Sequence, residues 1–162
     1  MVHSYENFFT TEKCQHFINR HSELFNPDND KRTYYHRETV SSLQRREVVE
    51  LSSYLTYDSK KLNGRLNFMV KNIDAEAFVN YFQIVKWPMT EEQKPHRDFD
   101  YHPYTSIIYL NDNFEGGETV VEKTMIKPKK GLMVLFDGNK KIHSVNKINK
   151  GSRYTISCWY TK

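Results

Sequence analysis

The sequence predicts an α+β domain: a double-stranded β-helix, or jelly roll, with supporting helices at its N-terminal end. Apolar residues recur at helical spacing in the first third of the chain. From about residue 66 onward, short β-branched and aromatic runs alternate with turns rich in Gly, Asn, Asp and Pro. Helices first, then about eight short strands at turn spacing, favour two packed antiparallel sheets. At 162 residues the chain is the size of a single domain, read as 1–162, with a helical part to about residue 65 and a jelly-roll core over about 66–162.

The elements follow in order. Thr10 or Thr11 can cap a helix over Glu12–His21, with Cys14, Phe17 and Ile18 on one face and His21 at its margin. The polar stretch 24–37, with Asn26-Pro27-Asp28-Asn29-Asp30, reads as a loop. Val48, Leu51, Ser52 and Leu55 predict a second helix from about Ser42 to Tyr57, extended by Lys60–Asn63 and ended by Asn63-Gly64. Strands are predicted at Leu66–Val70, Phe78–Trp87, Tyr104–Leu110, Glu118–Glu122, Leu132–Phe136, around His143, and at Arg153–Tyr160. Pro88 stops the second of these, and Gly116-Gly117 lets the backbone turn into the fourth. Asp137 reads as a turn residue before Gly138, and Met125 and Met133 as packing residues.

Composition bounds the function. Net charge is +4, but the lysines at 127, 129, 130, 140, 141, 147 and 150 sit beside turns, without a basic stripe interleaved with aromatics. Nucleic-acid binding is therefore not expected. No apolar run approaches the about 20 residues that span a bilayer, so no membrane association is expected. Residues 1–6 do not look like a signal peptide. Cys14 and Cys158 lie far apart, which favours free thiols in a reducing compartment. The expectation is a cytoplasmic monomer.

The chemistry is concentrated in His96-Arg97-Asp98, then His143, then Arg153. With 7 His and 20 acidic residues a chance His-x-Asp is not rare, and a lone one is more often a surface pair. The setting raises this one. In extended chain His96 and Asp98 point to the same face. His143 lies in an alternating segment, and Arg153 opens a strand-like run. Two His and one carboxylate from separate strands can occupy one face of Fe(II) and leave the opposite positions open. Arg153, ten residues after His143, offers a planar fork for a dicarboxylate. Arg153, Thr155, Ser157 and Trp159 alternate onto one face, so Thr155 and Ser157 can support the site and Trp159 can wall it. A salt bridge from Arg153 to Glu118 or Glu122, and plain core packing of Trp159, are the structural alternatives.

On these residues the sequence resembles the prolyl 4-hydroxylase group of Fe(II)/2-oxoglutarate-dependent dioxygenases. The matching segments are Phe82–Pro88, Pro95-His96-Arg97-Asp98, Ile108-Tyr109-Leu110-Asn111, Gly116-Gly117-Glu118-Thr119 and His143-Ser144-Val145 through Lys150–Tyr154, with Trp159 beyond. The resemblance implies Fe(II) on His96, Asp98 and His143. It implies 2-oxoglutarate on Arg153 and Tyr109, with Thr155 and Ser157 in support, and Trp87 where the family usually has another tyrosine. Trp159, His102 and Arg97 become candidate substrate contacts, and residues 26–41 and 58–76 candidate lids by position. The implied reaction couples oxidative decarboxylation of 2-oxoglutarate by O2 to C–H hydroxylation, with ascorbate as the reductant in the family's manner, on a proline-containing peptide. The alternatives are hydroxylation of free proline or another small metabolite, and a non-catalytic jelly-roll binding module. Repair of alkylated nucleic acid would call for a second Arg six residues after Arg153, where this chain has Trp159.

Overall fold

Two long neighbouring strands organise the molecule. The structure is a computed structural model and describes residues 1–27 and 45–162. In chain order the elements are β1 (Val2–Tyr5), α1 (Thr11–Leu24), β2 (Glu47–Val49), a 3₁₀ turn (Leu51–Ser53) and α2 (Tyr57–Lys71). There follow β3 (Phe78–Trp87), β4 (Gln93–His96), β5 (Tyr104–Tyr109), β6 (Glu115–Gly116), β7 (Thr119–Val121) and β8 (Thr124–Ile126). The chain ends with β9 (Met133–Phe136), β10 (His143–Val145), β11 (Ile148–Lys150) and β12 (Arg153–Thr161). A six-stranded sheet runs β1-β9-β5-β12-β3-β2, a four-stranded sheet runs β4-β10-β7-β8, and β11 pairs with β6.

The central strands show why the large sheet has two different faces. Arg153, Thr155, Ser157 and Trp159 of β12 stand in register with Trp87, Val85, Gln83 and Tyr81 of β3. On the other side Thr155, Ser157 and Trp159 stand opposite Tyr109, Ile107 and Thr105 of β5. Because side chains alternate along a strand, these residues share one face, which looks toward the small sheet. The opposite face is apolar. Ile156, Cys158 and Tyr160 join Phe82, Ile84 and Ile108 in a core closed by Cys14 and Phe17 of α1 and Leu62, Leu66 and Val70 of α2. The sheet is thus a partition between a greasy floor and a polar chamber.

Thr10 caps α1 as expected. Its extended backbone (φ −70, ψ 164) starts the helix, and its hydroxyl accepts the Lys13 N–H at 3.1 Å. Cys14, Phe17 and His21 are the buried face, and His21 Nε2 meets the Glu47 carbonyl at 2.8 Å.

The second helix falls elsewhere than expected. Of the segment Ser42–Tyr57, residues 42–44 lie outside the described residues, and Glu47–Val49 is a strand paired with Lys86, Val85 and Ile84 of β3. Leu55, counted into the helical pattern, is 83 % exposed. The helix runs instead over Tyr57–Lys71, where Ser59, Leu62, Leu66 and Val70 form the buried face. Leu66–Val70 is therefore helix, not strand, and residues 58–71 are scaffold and not a lid; the other candidate lid, 26–41, lies beyond residue 27 outside the described residues. Asn63-Gly64 does not end the helix because Gly64 sits on its outer face, with nothing within 4 Å of an added Cβ. A glycine there costs only its propensity, about 1 kcal/mol against Ala. Gly64→Ala is accordingly expected to stabilise the protein by about 0.5–1 kcal/mol, read as a Tm rise of about 1–4 °C in thermal melts.

β1 and β2 lie in the part expected to be helical, and they form the two edges of the large sheet. Met133 is buried as expected, but Met125 is 62 % exposed on the short strand β8.

Candidate active site

The metal-ligand candidates converge. β4 and β10 pair antiparallel with His143 directly opposite His96, and their ring centroids are 4.3 Å apart. His96 Nδ1 lies 2.8 Å from the Lys94 carbonyl and His143 Nδ1 2.9 Å from the Lys141 carbonyl. A carbonyl oxygen only accepts, so each Nδ1 carries the proton and each Nε2 presents its lone pair. Both Nε2 atoms face Asp98 Oδ1, at 3.6 Å from His96 and 3.5 Å from His143. The three ligand atoms lie within 4.8 Å of one another, and all three residues stand in a buried cluster. Burial works to raise the Asp98 pKa, but His143 and His96, when protonated at Nε2, and the Thr105 hydroxyl outweigh it and hold the carboxyl well below the usual carboxylate range. Asp98 is not on a strand, as its spacing from His96 suggested. β4 ends at His96, and Asp98 is held in the following loop by its N–H donating to Gly138 O at 2.9 Å.

Arg153 is fully buried. Its Nε donates to the Gly117 carbonyl at 2.9 Å, one Nη to Thr119 Oγ1 at 3.1 Å and the other to Thr155 Oγ1 at 3.5 Å. Its guanidinium lies 4.8 Å from the Trp87 ring centroid and 5.3 Å from that of Tyr109. Tyr109 OH shares a hydrogen bond of 2.5 Å with Thr119 Oγ1. Among the described residues no carboxylate pairs with Arg153, and Glu122 pairs with Lys141 at 3.6 Å. The salt-bridge alternative therefore fails. Burial pulls the guanidinium pKa down, with Tyr109 and the charge of Glu118 acting the other way. A buried cation whose hydrogen bonds go only to neutral oxygens is a costly arrangement that an anionic ligand would repay. Gly116 and Gly117 have φ of +79 and +68, and a Cβ on Gly117 would stand 3.1 Å from Arg153 Cδ. The glycine pair thus turns the backbone and lets its carbonyl approach the Arg.

The protein-family model described as the 2OG-Fe(II) oxygenase superfamily matches residues 77–161. The chain belongs to that superfamily. Among curated relatives, prolyl 3-hydroxylase 2 of Homo sapiens is 37 % identical over 71 residues, which cover 39 % of this chain and 10 % of the relative. The chain thus spans about a tenth of that relative's length. Among solved structures, a viral collagen prolyl hydroxylase from Paramecium Bursaria Chlorella virus-1, in its 2OG complex, superposes with TM-score 0.71 at 19 % identity, covering 99 % of this chain and 94 % of that one. A prolyl hydroxylase from Trichoplax adhaerens, in complex with a hypoxia inducible factor peptide fragment, gives TM-score 0.76 at 15 % identity, covering 99 % and 83 %. This chain shares its jelly-roll fold with both solved structures.

The residues of this oxygenase domain fit an iron and a dicarboxylate. The donor set of two imidazoles and one carboxylate suits Fe(II). A cavity of about 180 Å³ opens beside it. Arg97, His102, Thr119, Ser157, Trp87 and Trp159 are in its wall, whereas Arg153, Tyr109 and Thr155 stand immediately behind Thr119 and Trp87. Trp87 Nε1 is buried without a hydrogen-bond partner among the described residues. A buried indole N–H is a donor that needs an acceptor, and a carboxylate oxygen in the cavity would be one. His102 is buried, and burial lowers its pKa against the pull of Asp98. Its Nε2 accepts from Asn80 Nδ2 at 2.9 Å, so it lines the mouth without joining the metal cluster. Trp159 stacks on Tyr81 with centroids 4.8 Å apart, at the chamber wall and not in the core.

Two site residues escape sequence reasoning. Thr119 links Tyr109 to Arg153, and Thr105 bonds the Asp98 carboxylate. Thr119 sits at the end of the Gly116–Thr119 segment that carries the family resemblance. The only signal for Thr105 is its even spacing from Tyr109 on the same strand face.

Proposed function

We propose that this domain is an Fe(II)- and 2-oxoglutarate-dependent dioxygenase that hydroxylates prolyl residues of a peptide or protein, at C4. The convergence of His96, Asp98 and His143 beside a cavity backed by Arg153 carries the reading. In it, those three residues hold the metal. Arg153 takes the far carboxylate of 2-oxoglutarate, with Tyr109, Thr119 and Thr155 fixing the Arg and Trp87 and Ser157 supplying donors along the wall. Iron with 2-oxoglutarate and O2 supplies the oxidising power, with ascorbate as the reductant that keeps the metal ferrous. The chain's own residues bind, orient and exclude water.

A peptide is favoured over free proline by the rim of the cavity. Phe99 and Tyr101 stack with centroids 5.3 Å apart, and Tyr101 packs edge-on to His102 at 4.6 Å. Phe99 is 36 % and Tyr101 59 % exposed. A free amino acid in the cavity would leave these rings uncovered, while a chain lying across the mouth would cover them. Trp159 and Tyr81 would then wall the reacting ring, and Arg97 and His102 would meet the flanking backbone.

The test is incubation of the protein with Fe(II), 2-oxoglutarate and ascorbate and a panel of proline-containing peptides, with free proline alongside. Mass spectrometry is expected to show a gain of one oxygen on peptide proline, and amino-acid analysis to place it at C4. Product at C3 would move the reading to the prolyl 3-hydroxylase kind. Oxidation of free proline alone would replace the peptide by the metabolite. No succinate with any substrate would sink the enzymatic reading.

A further inference from the structure

Asp98 is the one metal-facing residue that no strand holds, yet its carboxylate is tightly oriented. Oδ1 faces the two imidazoles at 3.6 and 3.5 Å. Oδ2 points the other way and accepts a short hydrogen bond from the Thr105 hydroxyl. Thr105 is a rigid donor. It lies in β5, inside the six-stranded sheet, between Phe136 of β9 and Trp159 of β12, and is 2 % exposed. Gly138 closes the arrangement from the third side. Its carbonyl accepts the Asp98 N–H, and a Cβ on it would collide with both Thr105 Oγ1 and Asp98 Oδ2. Two independent features, a hydroxyl donor and a missing side chain, therefore converge on the same carboxylate oxygen.

We propose that Thr105 is a positioning residue that presents Asp98 to the metal through one oxygen only, and that Gly138 makes room for the bond that does so. The inference rests on the reading of His96, Asp98 and His143 as a metal site. Carboxylates bind metals through one oxygen or through both. A three-residue facial set is useful because the opposite positions stay open. An Asp98 free to rotate could take one of those positions with its second oxygen, and 2-oxoglutarate, which needs two, would then compete with the protein for them. The Thr105 bond occupies Oδ2 and fixes the plane of the carboxylate against that rotation.

The experiment compares wild type with Thr105→Val, which keeps the shape and removes the hydroxyl, and Thr105→Ser, which keeps the hydroxyl. Co(II) replaces iron so that binding and coordination are read without turnover. Titration calorimetry gives the Co(II) affinity, visible absorption reports the coordination sphere, and a second titration on the Co(II)-loaded protein gives 2-oxoglutarate affinity. Thr105→Val is expected to weaken 2-oxoglutarate binding about tenfold or more, to weaken Co(II) binding by less, and to alter the Co(II) spectrum. Thr105→Ser is expected to restore all three. Two results would overturn the proposal: a Val variant matching wild type in spectrum and 2-oxoglutarate affinity, or a Ser variant failing in the same way as Val. Gly138→Ala offers a second route, with the same spectral change expected and an unchanged spectrum counting against the role given to Gly138. Wild-type protein that takes up no Co(II) would overturn the metal reading itself, and is seen before any variant is made.

Discussion

Replacing Asp98 by Ala is expected to weaken divalent-metal binding by about 10²–10³-fold. Metal sites of four protein ligands reach about 10–16 kcal/mol, so one ligand is worth on the order of 3–4 kcal/mol, and each 1.4 kcal/mol is tenfold. Asp98 is the costliest of the three to lose, because it alone brings negative charge between two neutral imidazoles. An aspartate carboxyl is already charged at neutral pH, so the ligand needs no deprotonation when the metal arrives. Titration calorimetry of the metal-free protein with Mn(II) measures the loss directly. Thermal melts give an independent reading. A metal at 100 times its Kd stabilises the folded state by about 2.7 kcal/mol. Chelation should therefore lower the Tm of wild type by several degrees and leave that of the variant unchanged. His96→Ala and His143→Ala should behave alike, since the two rings are equivalent in distance and in the carbonyl each donates to. Asp98→Ala protein that binds Mn(II) as tightly as wild type would refute the ligand assignment.

How much of this could be read beforehand depended on what decides each element. Strands β3, β5, β9 and β12 were legible because central strands buried on both faces need β-branched and aromatic runs, and those runs are conspicuous. The edges were not. β1 and β2 contain His3 and Glu47 and are four and three residues long, and only the neighbour they pair with makes them strands. α2 was misplaced for a related reason. Gly64 looks like a stop, but its effect depends on which face of the helix it occupies, and that is settled by Leu62, Leu66 and Val70 meeting the sheet. In the site, the ligand set and Arg153 were legible because His and Arg are chemically unusual on interior strand faces and Asp98 lies two residues from one such His. Thr105 and Thr119 were not, since threonine is also an ordinary strand former. Their roles come from β5 and β7 being brought against Asp98, Tyr109 and Arg153, which is a property of the folded chamber.

Arg153→Lys is expected to raise the Kd for 2-oxoglutarate by about 10²-fold while sparing the metal. The Arg stands behind Thr119 and Trp87 of the cavity wall, and its fork is already oriented by Gly117, Thr119 and Thr155. Lysine keeps the charge but is a compact ammonium on a flexible stem, and cannot span two carboxylate oxygens in a plane. Losing two hydrogen bonds to a charged group at about 1.5 kcal/mol each amounts to about 3 kcal/mol, which is the expected hundredfold. The loss should appear in binding, with metal affinity unchanged within about threefold, since Arg153 touches none of the three ligands. The chain supplies its own optical probe. It has two tryptophans, Trp87 and Trp159. In a Trp159→Phe background Trp87 alone reports, 4.8 Å from the guanidinium and with its buried N–H awaiting an acceptor. Addition of 2-oxoglutarate to the Mn(II)-loaded protein is expected to change that emission saturably, and Arg153→Lys to shift the midpoint to about hundredfold higher concentration. An unshifted midpoint would remove Arg153 from the cosubstrate site. A shift accompanied by loss of Mn(II) would make it a structural support of the metal instead.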